Sequence, residues 1–297
     1  MKTYIIVSIG LILVGLILFT VVMFVNHWDF SKLSTIKYVD NTHSVQESFS
    51  SISIETSTAD IRFVPSDTQD CQVILHEQEN LRHRVLVEEG CLTIYLEHNR
   101  HWYDYIGINF STPKITVALP QQEYNSLIIK GSTGDVVVPS DFRFQSIDID
   151  VRTGDVKCQA STTDSLNIKV STGDISAENL SAGDVSLQVT TGDVHISHLS
   201  CRSLTSKGST GDVLLQYVMV TENLSVTRTT GDIKLTKCDA QSLSINTNTG
   251  DITGTLLTDK VFQVQTSTGK VNVPQTTTGG ICMASTTTGN ITFHIAD

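Results

Sequence analysis

Positive charge is scarce in this sequence. It holds 20 Lys and Arg residues against 31 Asp and Glu residues, so its formal net charge at pH 7 is −11. A chain with this balance repels the phosphate backbone of DNA or RNA, whose binding depends on Lys and Arg contacts. We therefore predict that nucleic acid is not a partner.

Recognisable catalytic motifs are also absent. The sequence contains no Gly-x-Ser-x-Gly elbow, no phosphate-binding loop and no His-Glu-x-x-His run. An elongated β-helix that cleaves polysaccharides needs carboxylates or a base converging on one face, whereas the acidic residues here lie mainly in turns. We predict a protein that is not an enzyme, with no catalytic residue and no cofactor. A polysaccharide-active β-helix enzyme is the alternative.

The six cysteines follow no metal-binding pattern. There is no Cys-x-x-Cys pair and no Cys/His cluster with zinc spacing, so we expect no metal–thiolate site. Cys158, Cys238 and Cys282 stand at apolar positions of a repeat, which favours buried thiols. Cys71 and Cys91 open two similar strand-like runs, and a disulfide between them stays open as an alternative.

A long apolar run stands at the N-terminus. Residues 4–25 form an uncharged stretch of 22 mostly aliphatic residues, which is long enough to span a bilayer. A cleaved signal peptide would have a shorter apolar core and a small-residue cleavage site. We predict an uncleaved anchor in the cell membrane, with residues 1–3 in the cytoplasm because Lys2 precedes the span. The rest of the chain would be extracytoplasmic.

The dominant feature is a Thr-Gly-Asp tripeptide, or a close variant, that recurs every 19 or 20 residues. A fixed period of this length is typical of a solenoid. Glycine supplies the positive φ that tight corners need. We predict structural corners at nine glycines: Gly134, Gly154, Gly173, Gly192, Gly211, Gly231, Gly250, Gly269 and Gly289.

Apolar residues alternate around each corner, as they do in strands. A β-branched apolar residue stands two positions after every one of the nine glycines, from Val136 to Ile291. Half-period variants such as Ala182-Gly183-Asp184 indicate a second corner on the opposite side. We predict an all-β fold, a β-helix of about nine or more rungs with two strands and two corners each. Rungs about 4.8 Å apart would make a rod on the order of 40 Å long.

The segments before the repeats differ in character. Residues 26–46 are polar without periodicity and are predicted to be a tether. Residues 47–120 contain strands of irregular spacing and a degenerate first repeat at Thr58-Ala59-Asp60. Because an uncovered solenoid end exposes unpaired strand edges, we predict that this segment is an N-terminal β cap. The solenoid itself would cover residues 121–297.

Together, these features resemble those of a known family. The apolar anchor, the degenerate first repeat, the strand KITVALP ending at Pro120 and the serial STGD corners resemble the putative-adhesin β-strand-repeat family. That resemblance implies a bacterial, membrane-anchored domain of otherwise unknown function, with some members in cell-envelope stress operons. It carries over no catalytic residues.

The corner aspartates form a candidate metal site because stacked rungs would align them: Asp135, Asp155, Asp174, Asp193, Asp212, Asp232 and Asp251. Carboxylates on adjacent rungs are suitable calcium ligands. The favoured interpretation is that each aspartate instead closes its own corner through backbone hydrogen bonds and stays solvated.

Two other positions depart from the repeat. Residues 98–110 concentrate aromatic and basic side chains, and Arg100, His101, Trp102, Tyr103 and Tyr105 are a candidate binding loop for a glycan or a protein. The alternative is that they plug the open end of the solenoid. Arg228 occupies a column that is otherwise apolar, where it would mark a groove or extend its charge outward to water.

Taken together, these patterns predict a non-enzymatic binding or scaffolding module outside the membrane of a bacterial cell. One version is an accessory in envelope-stress sensing that contacts a neighbouring envelope protein. The alternative is an adhesin that binds a cell-wall or host glycan. The partners are then the membrane, through the chain's own anchor, and an envelope protein or glycan.

Overall fold

The N-terminal apolar run is a helix. The computed structural model describes residues 2–29, 36–97 and 111–296. Helix α1 (Lys2–Val25) contains the 22-residue stretch Tyr4–Val25, whose mean hydropathy is 3.1. At 1.5 Å per residue this stretch is about 33 Å long. Its length and composition therefore fit a single crossing of a membrane.

The rest of the described chain forms two large sheets. Sheet A has 13 strands: β1 (Tyr38–Val45), β3 (Asp60–Pro65), β4 (Cys71–Gln78), β7 (Lys114–Leu119), β9 (Val136–Val138), β11 (Val156–Cys158), β13 (Ile175–Ser181), β15 (Val194–Cys201), β17 (Val213–Val220), β19 (Ile233–Cys238), β21 (Ile252–Leu256), β23 (Val271–Asn272) and β25 (Ile291–Ile295). Sheet B has 12 strands: β2 (Ser51–Thr58), β5 (His83–Glu88), β6 (Cys91–Leu96), β8 (Glu123–Thr133), β10 (Arg143–Thr153), β12 (Ser161–Thr172), β14 (Asp184–Thr191), β16 (Ser203–Thr210), β18 (Asn223–Thr227), β20 (Ser242–Thr249), β22 (Lys260–Thr268) and β24 (Gly280–Thr288).

Each repeat contributes one strand to each sheet, which confirms the predicted β-solenoid. Neighbouring rungs are parallel and in register, so that Leu127, Ile147 and Leu166 are cross-strand neighbours. All three are fully buried between the sheets. One rung has too few apolar side chains to cover its own inner face, and stacking supplies the rest.

The corner glycines also permit the rungs to approach closely. Gly192 has a φ of 140°. A Cβ atom at this position would overlap the backbone carbonyl oxygen of Gly173 on the preceding rung, inside the 3.0 Å that real Cβ atoms keep from other atoms. The repeated glycine is therefore required both by the conformation of the corner and by the spacing of the rungs.

The stacking order departs from the chain order at the far end of the rod. Strand β24 pairs with both β20 and β22, and β25 pairs with both β21 and β23. The last rung in sequence is thus inserted between its two predecessors. The outermost rung is formed by residues 260–272, and not by the C-terminal residues that a simple serial stack would place there.

The other end carries antiparallel strands. In sheet A, β4 runs antiparallel to β7 and β1, and in sheet B, β5 runs antiparallel to β6. Strand β1 lies within residues 26–46, so the segment expected to be a tether contributes a strand to the sheet. Its pairing with β4 covers an edge that a rung-only stack would leave open.

All six cysteines are free thiols, and Cys71 and Cys91 are not joined. Cys158, Cys238 and Cys282 are buried at the repeat positions described above. Burial raises the pKa of Cys158 and of Cys282 to about 12. These thiols are packing groups of the core at neutral pH, since the reactive thiolate is scarce.

Candidate functional site

Among the described residues, a shallow groove lies on the outer face of sheet B. It has a volume of about 370 Å³ and is lined by side chains from four neighbouring strands, β2, β8, β10 and β12. The lining side chains are Glu55, Thr56, Lys130, Ser132, Asp150, Arg152, Lys169 and Ser171, with Gly131. The predicted binding loop, with Arg100, His101, Trp102, Tyr103 and Tyr105, lies outside the described residues.

Strand register gives the groove a row of alternating charge. Glu55 pairs in register with Lys130, Lys130 with Asp150, and Asp150 with Lys169. The Nζ atom of Lys169 lies 2.9 Å from Oδ2 of Asp150. The row is created by stacking, because neighbouring members are 19 to 75 residues apart in sequence. Sequence analysis missed it, although charged residues at one position of successive repeats were the available signal.

Two cations of the groove remain available to a ligand. Lys130 and Arg152 are exposed and form no ion pair with any residue that the structure describes. Ser132 and Ser171 supply hydroxyl groups beside them. Donors and acceptors therefore alternate along the groove, which suits a ligand rich in hydroxyl groups.

A second depression adjoins the first. It has a volume of about 510 Å³ and shares Glu55, Thr56 and Ser132 with the groove. Tyr95 also lines it, from strand β6. An aromatic ring beside a polar groove provides an apolar face against which a sugar ring can stack.

A buried polar network lies at the edge of both depressions. Oγ1 of Thr56 lies 3.0 Å from Nε2 of His83, and Nδ1 of His83 lies 2.9 Å from Oε2 of Glu77. Glu77 also accepts the backbone N–H of His83 at 2.7 Å and the side-chain N–H of Asn41 at 2.8 Å. These contacts join sheet A to sheet B in the cap. Sequence reasoning did not single out any of these residues.

The charge state of Glu77 follows from this network. Burial raises its pKa, but the hydrogen bonds from the side chain and backbone of His83 and from Asn41 lower it by more in total. The net effect is a pKa below the ordinary value of 4.5, so Glu77 is an anion at neutral pH. A buried carboxylate is tolerated here because its oxygens are hydrogen-bonded.

The corner aspartates form a hydrogen-bonded ladder. Oδ1 of Asp174 accepts the backbone N–H of Asp193 at 2.8 Å, and Oδ1 of Asp193 accepts that of Asp212 at 2.7 Å. The pattern begins at Asp60 and includes Asp135, Asp155, Asp174, Asp193, Asp212, Asp232 and Asp251. These bonds join each rung to the next, whereas we expected bonds within a corner. Residues 2–29, 36–97 and 111–296 contain no group of three or more His, Cys, Asp or Glu residues suited to a metal ion.

Arg228 neither marks a groove nor reaches the solvent. Its exposed fraction is 2%. Nη2 donates to Oγ of Ser206 at 3.2 Å and Nη1 to the carbonyl oxygen of Thr227 at 3.1 Å, while Nε has no partner among the described atoms. Burial lowers the pKa of Arg228 to about 10. The absence of a side chain at Gly208, which faces the guanidinium, provides the space.

These observations define a class: repetitive two-sheet β-solenoids with a polar outer face and an N-terminal apolar helix. Comparison with known families identifies the group within it. Residues 49–294 match the Toastrack DUF4097 family, and the chain belongs to that family. The resemblance to a putative-adhesin repeat family is thereby confirmed.

Solved structures share the fold. A "putative adhesin" from Bacteroides fragilis NCTC 9343 is 17% identical, with a TM-score of 0.52, over 87% of this chain and 97% of that chain. A "putative lipid binding protein" from Parabacteroides distasonis ATCC 8503 is 16% identical, with a TM-score of 0.53, over the same shares. Neither is described as an enzyme. No curated protein matches this sequence.

Proposed function

We propose that this chain is a membrane-anchored, non-enzymatic binding module of the bacterial cell envelope, and that its groove binds a hydroxyl-rich glycan. The observation that carries the proposal is the alternating row of Glu55, Lys130, Asp150 and Lys169 across four parallel strands. A ligand with a repeated structure can follow such a row, with each hydroxyl group meeting a donor or an acceptor.

Helix α1 supports the proposed cellular setting. Its apolar stretch is long enough to remain in the membrane as an anchor. Lys2 lies before the stretch, which favours a cytoplasmic N-terminus and an extracytoplasmic solenoid. The description of a structural relative as a "putative adhesin" supports a binding role for the exposed faces.

The glycan proposal is tested by cosedimentation of the full-length protein, in detergent micelles, with purified bacterial cell wall. Lys130→Ala/Arg152→Ala removes the two cations that have no ion-pair partner. We expect this double variant to bind at least about tenfold more weakly, which corresponds to about 1.4 kcal/mol. Lys234→Ala/Lys237→Ala is the matched control because it also removes two positive charges, from exposed lysines on sheet A.

Equal binding by the wild type and the double variant would exclude the groove as the glycan site. Weakened binding by Lys234→Ala/Lys237→Ala to the same degree would show that binding depends only on total charge. Loss of binding in the double variant alone supports the groove. Circular dichroism of each variant establishes that the solenoid is folded.

A second candidate function is that of an accessory that contacts a neighbouring envelope protein, as in envelope-stress sensing. A surface on sheet A favours it. The rings of His198 and Tyr217 stack with centroids 4.8 Å apart, and Nζ of Lys237 lies 5.9 Å from the Tyr217 centroid. Tyr217 is 46% exposed and nearby Met219 is 42% exposed. Aromatic residues and methionine are enriched in protein interfaces.

The accessory function is tested by crosslinking in cells with a photoreactive residue at Tyr217. A reproducible envelope protein captured at this position, and absent when the same residue replaces Gln188 on sheet B, would support it. Capture of the same proteins from both positions would exclude a specific contact on this surface.

A further inference from the structure

The far end of the rod has an uncovered strand. Sheet B ends at β22 and sheet A ends at β23, and no described strand pairs with their outer edges, although Thr276 donates its hydroxyl group to the carbonyl oxygen of Lys260 at the start of β22. Strand β22 is nine residues long, contains no proline and keeps an unbroken register with β24. The edge strands at the opposite end, β1 and β5, are shorter and carry charges, with Asp40 in β1 and Arg84 and Glu88 in β5. A long, regular free edge is a template for pairing with another strand.

The same end leaves part of the solenoid interior uncovered. Phe262 and Val264 are only partly buried, although Leu243 and Ile245 at the same repeat positions are fully buried. Val271 in β23 is 45% exposed. A further layer against this end would complete the burial that every interior rung has.

The charge distribution favours contact between two such ends. Residues 260–296 contain Lys260 and Lys270 but no Asp or Glu, whereas the whole chain has a net charge of −11. Lys260 is already paired with Asp239 at 2.6 Å. The aspartate ladder is replaced by Asn290 and Lys270 in the last two rungs. Two copies can therefore meet here without the carboxylate repulsion that other parts of the ladder would cause.

Strand β22 is also self-complementary. Consider an antiparallel pair of β22 strands about a twofold axis at Val264. On the inward face, Val264 of one copy lies opposite Val264 of the other, and Phe262 lies opposite Thr266. The uncharged Gln263 and Gln265 meet on the outer face. A twofold contact of this kind is closed, since it uses the same patch on both subunits.

We propose that the edge formed by β22 and β23 is a homodimer interface, in which β22 pairs antiparallel with β22 of a second copy. The cap follows helix α1 in sequence, and the dimer edge lies at the opposite end of the rod. With the anchoring proposed above, copies on two facing membranes would join end to end. The pairing itself does not depend on the glycan groove.

The test is sedimentation of the full-length protein in detergent micelles over a range of concentrations. The wild type is expected to form a dimer. Gln263→Glu/Gln265→Glu places like charges opposite each other across the interface, and so does Gln263→Lys/Gln265→Lys. Each double variant is expected to dimerise at least about tenfold more weakly. A mixture of the acidic and basic variants is expected to regain a dimer, now with one copy of each.

A matched control separates this edge from other routes to a dimer. Gln188→Glu changes another exposed glutamine of sheet B, in the middle of the rod, and its dimerisation is expected to match the wild type. A wild type that stays monomeric at every concentration overturns the proposal. A dimer that both double variants retain at full strength, such as one formed through α1, also overturns it, and so does a mixture that stays monomeric. Circular dichroism confirms that each variant is folded.

Discussion

Replacing Gly192 with alanine tests whether rung spacing depends on the corner glycines. Gly192 has a φ of 140°, which residues with a Cβ atom rarely adopt. The added methyl group would overlap the carbonyl oxygen of Gly173 and lie 3.0 Å from Oδ1 of Asp174. That carboxylate oxygen accepts the backbone N–H of Asp193. The substitution therefore acts on the corner, the stacking and the aspartate ladder at once.

The cost has two parts. The left-handed backbone conformation costs an alanine about 1–2 kcal/mol. Overpacking adds about 1–3 kcal/mol, because the obstructing atom is a backbone carbonyl that cannot rotate away. The free energy of unfolding should fall by about 2–5 kcal/mol, and at about 2–4 °C per kcal/mol the melting temperature should fall by about 4–20 °C.

Thermal unfolding of the full-length protein in micelles, followed by circular dichroism, measures this loss. Gly90→Ala is the first control, because Gly90 has a φ of 75° but a Cβ there would have no atom within 4 Å. Gly131→Ala is the second, because its Cβ would lie 3.7 Å from Cγ2 of Val151, an ordinary contact. The order of loss should be Gly192, then Gly90, then Gly131. If Gly192→Ala costs no more than Gly90→Ala, close rung approach is not what the glycine provides.

Three further predictions concern polar groups of the rod. Arg228→Met should stabilise the protein by about 1–4 kcal/mol in chemical denaturation, because it replaces a buried guanidinium that has no carboxylate partner among the described residues; a loss of stability would contradict this. Glu77→Gln should weaken the pH dependence of the melting temperature. The pKa of Glu77 is lowered in the folded state, so its contribution is present above pH 4.5 and is lost as the pH falls through the lowered value. An identical acid profile for variant and wild type would refute that assignment. Asp193→Ala should cost about 1 kcal/mol in thermal unfolding because the N–H of Asp212 loses its acceptor, whereas Asp193→Asn should cost less, since an amide oxygen can still accept. Equal losses in the two Asp193 variants would show that the ladder depends on charge.

The charged row on sheet B also bears on the register of the rungs. Successive repeats are nearly alike, and a shift by one rung would preserve most of the apolar columns. Such a shift would bring Asp150 beside Glu55 in place of Lys130, which lies between them. Exposed ion pairs contribute only about 0.2–1 kcal/mol each. The row therefore biases the register, while the burial of apolar columns provides the stability.

The repeating parts of this protein could be predicted from its sequence alone. The period of 19 or 20 residues, the corner glycines and the inward apolar columns from Leu127 onward all depend on local conformation and on side-chain alternation. Each rung satisfies the same requirements as the next. The solenoid could be predicted for this reason, and the apolar helix could be predicted from the length of its uncharged run.

Contacts between segments that are distant in sequence could not be predicted and are seen only in the folded structure. The insertion of β24 between β20 and β22 leaves every apolar column intact, so no periodic pattern distinguishes it from serial stacking. The pairing of β1 with β4, the meeting of Glu77 with His83 and the burial of Arg228 beside Gly208 likewise depend on which strands become neighbours. Sequence periodicity specifies the strands, corners and inward side chains of each rung. The position of each rung in the stack is specified by the pairing of whole strands and by the burial that follows from this pairing.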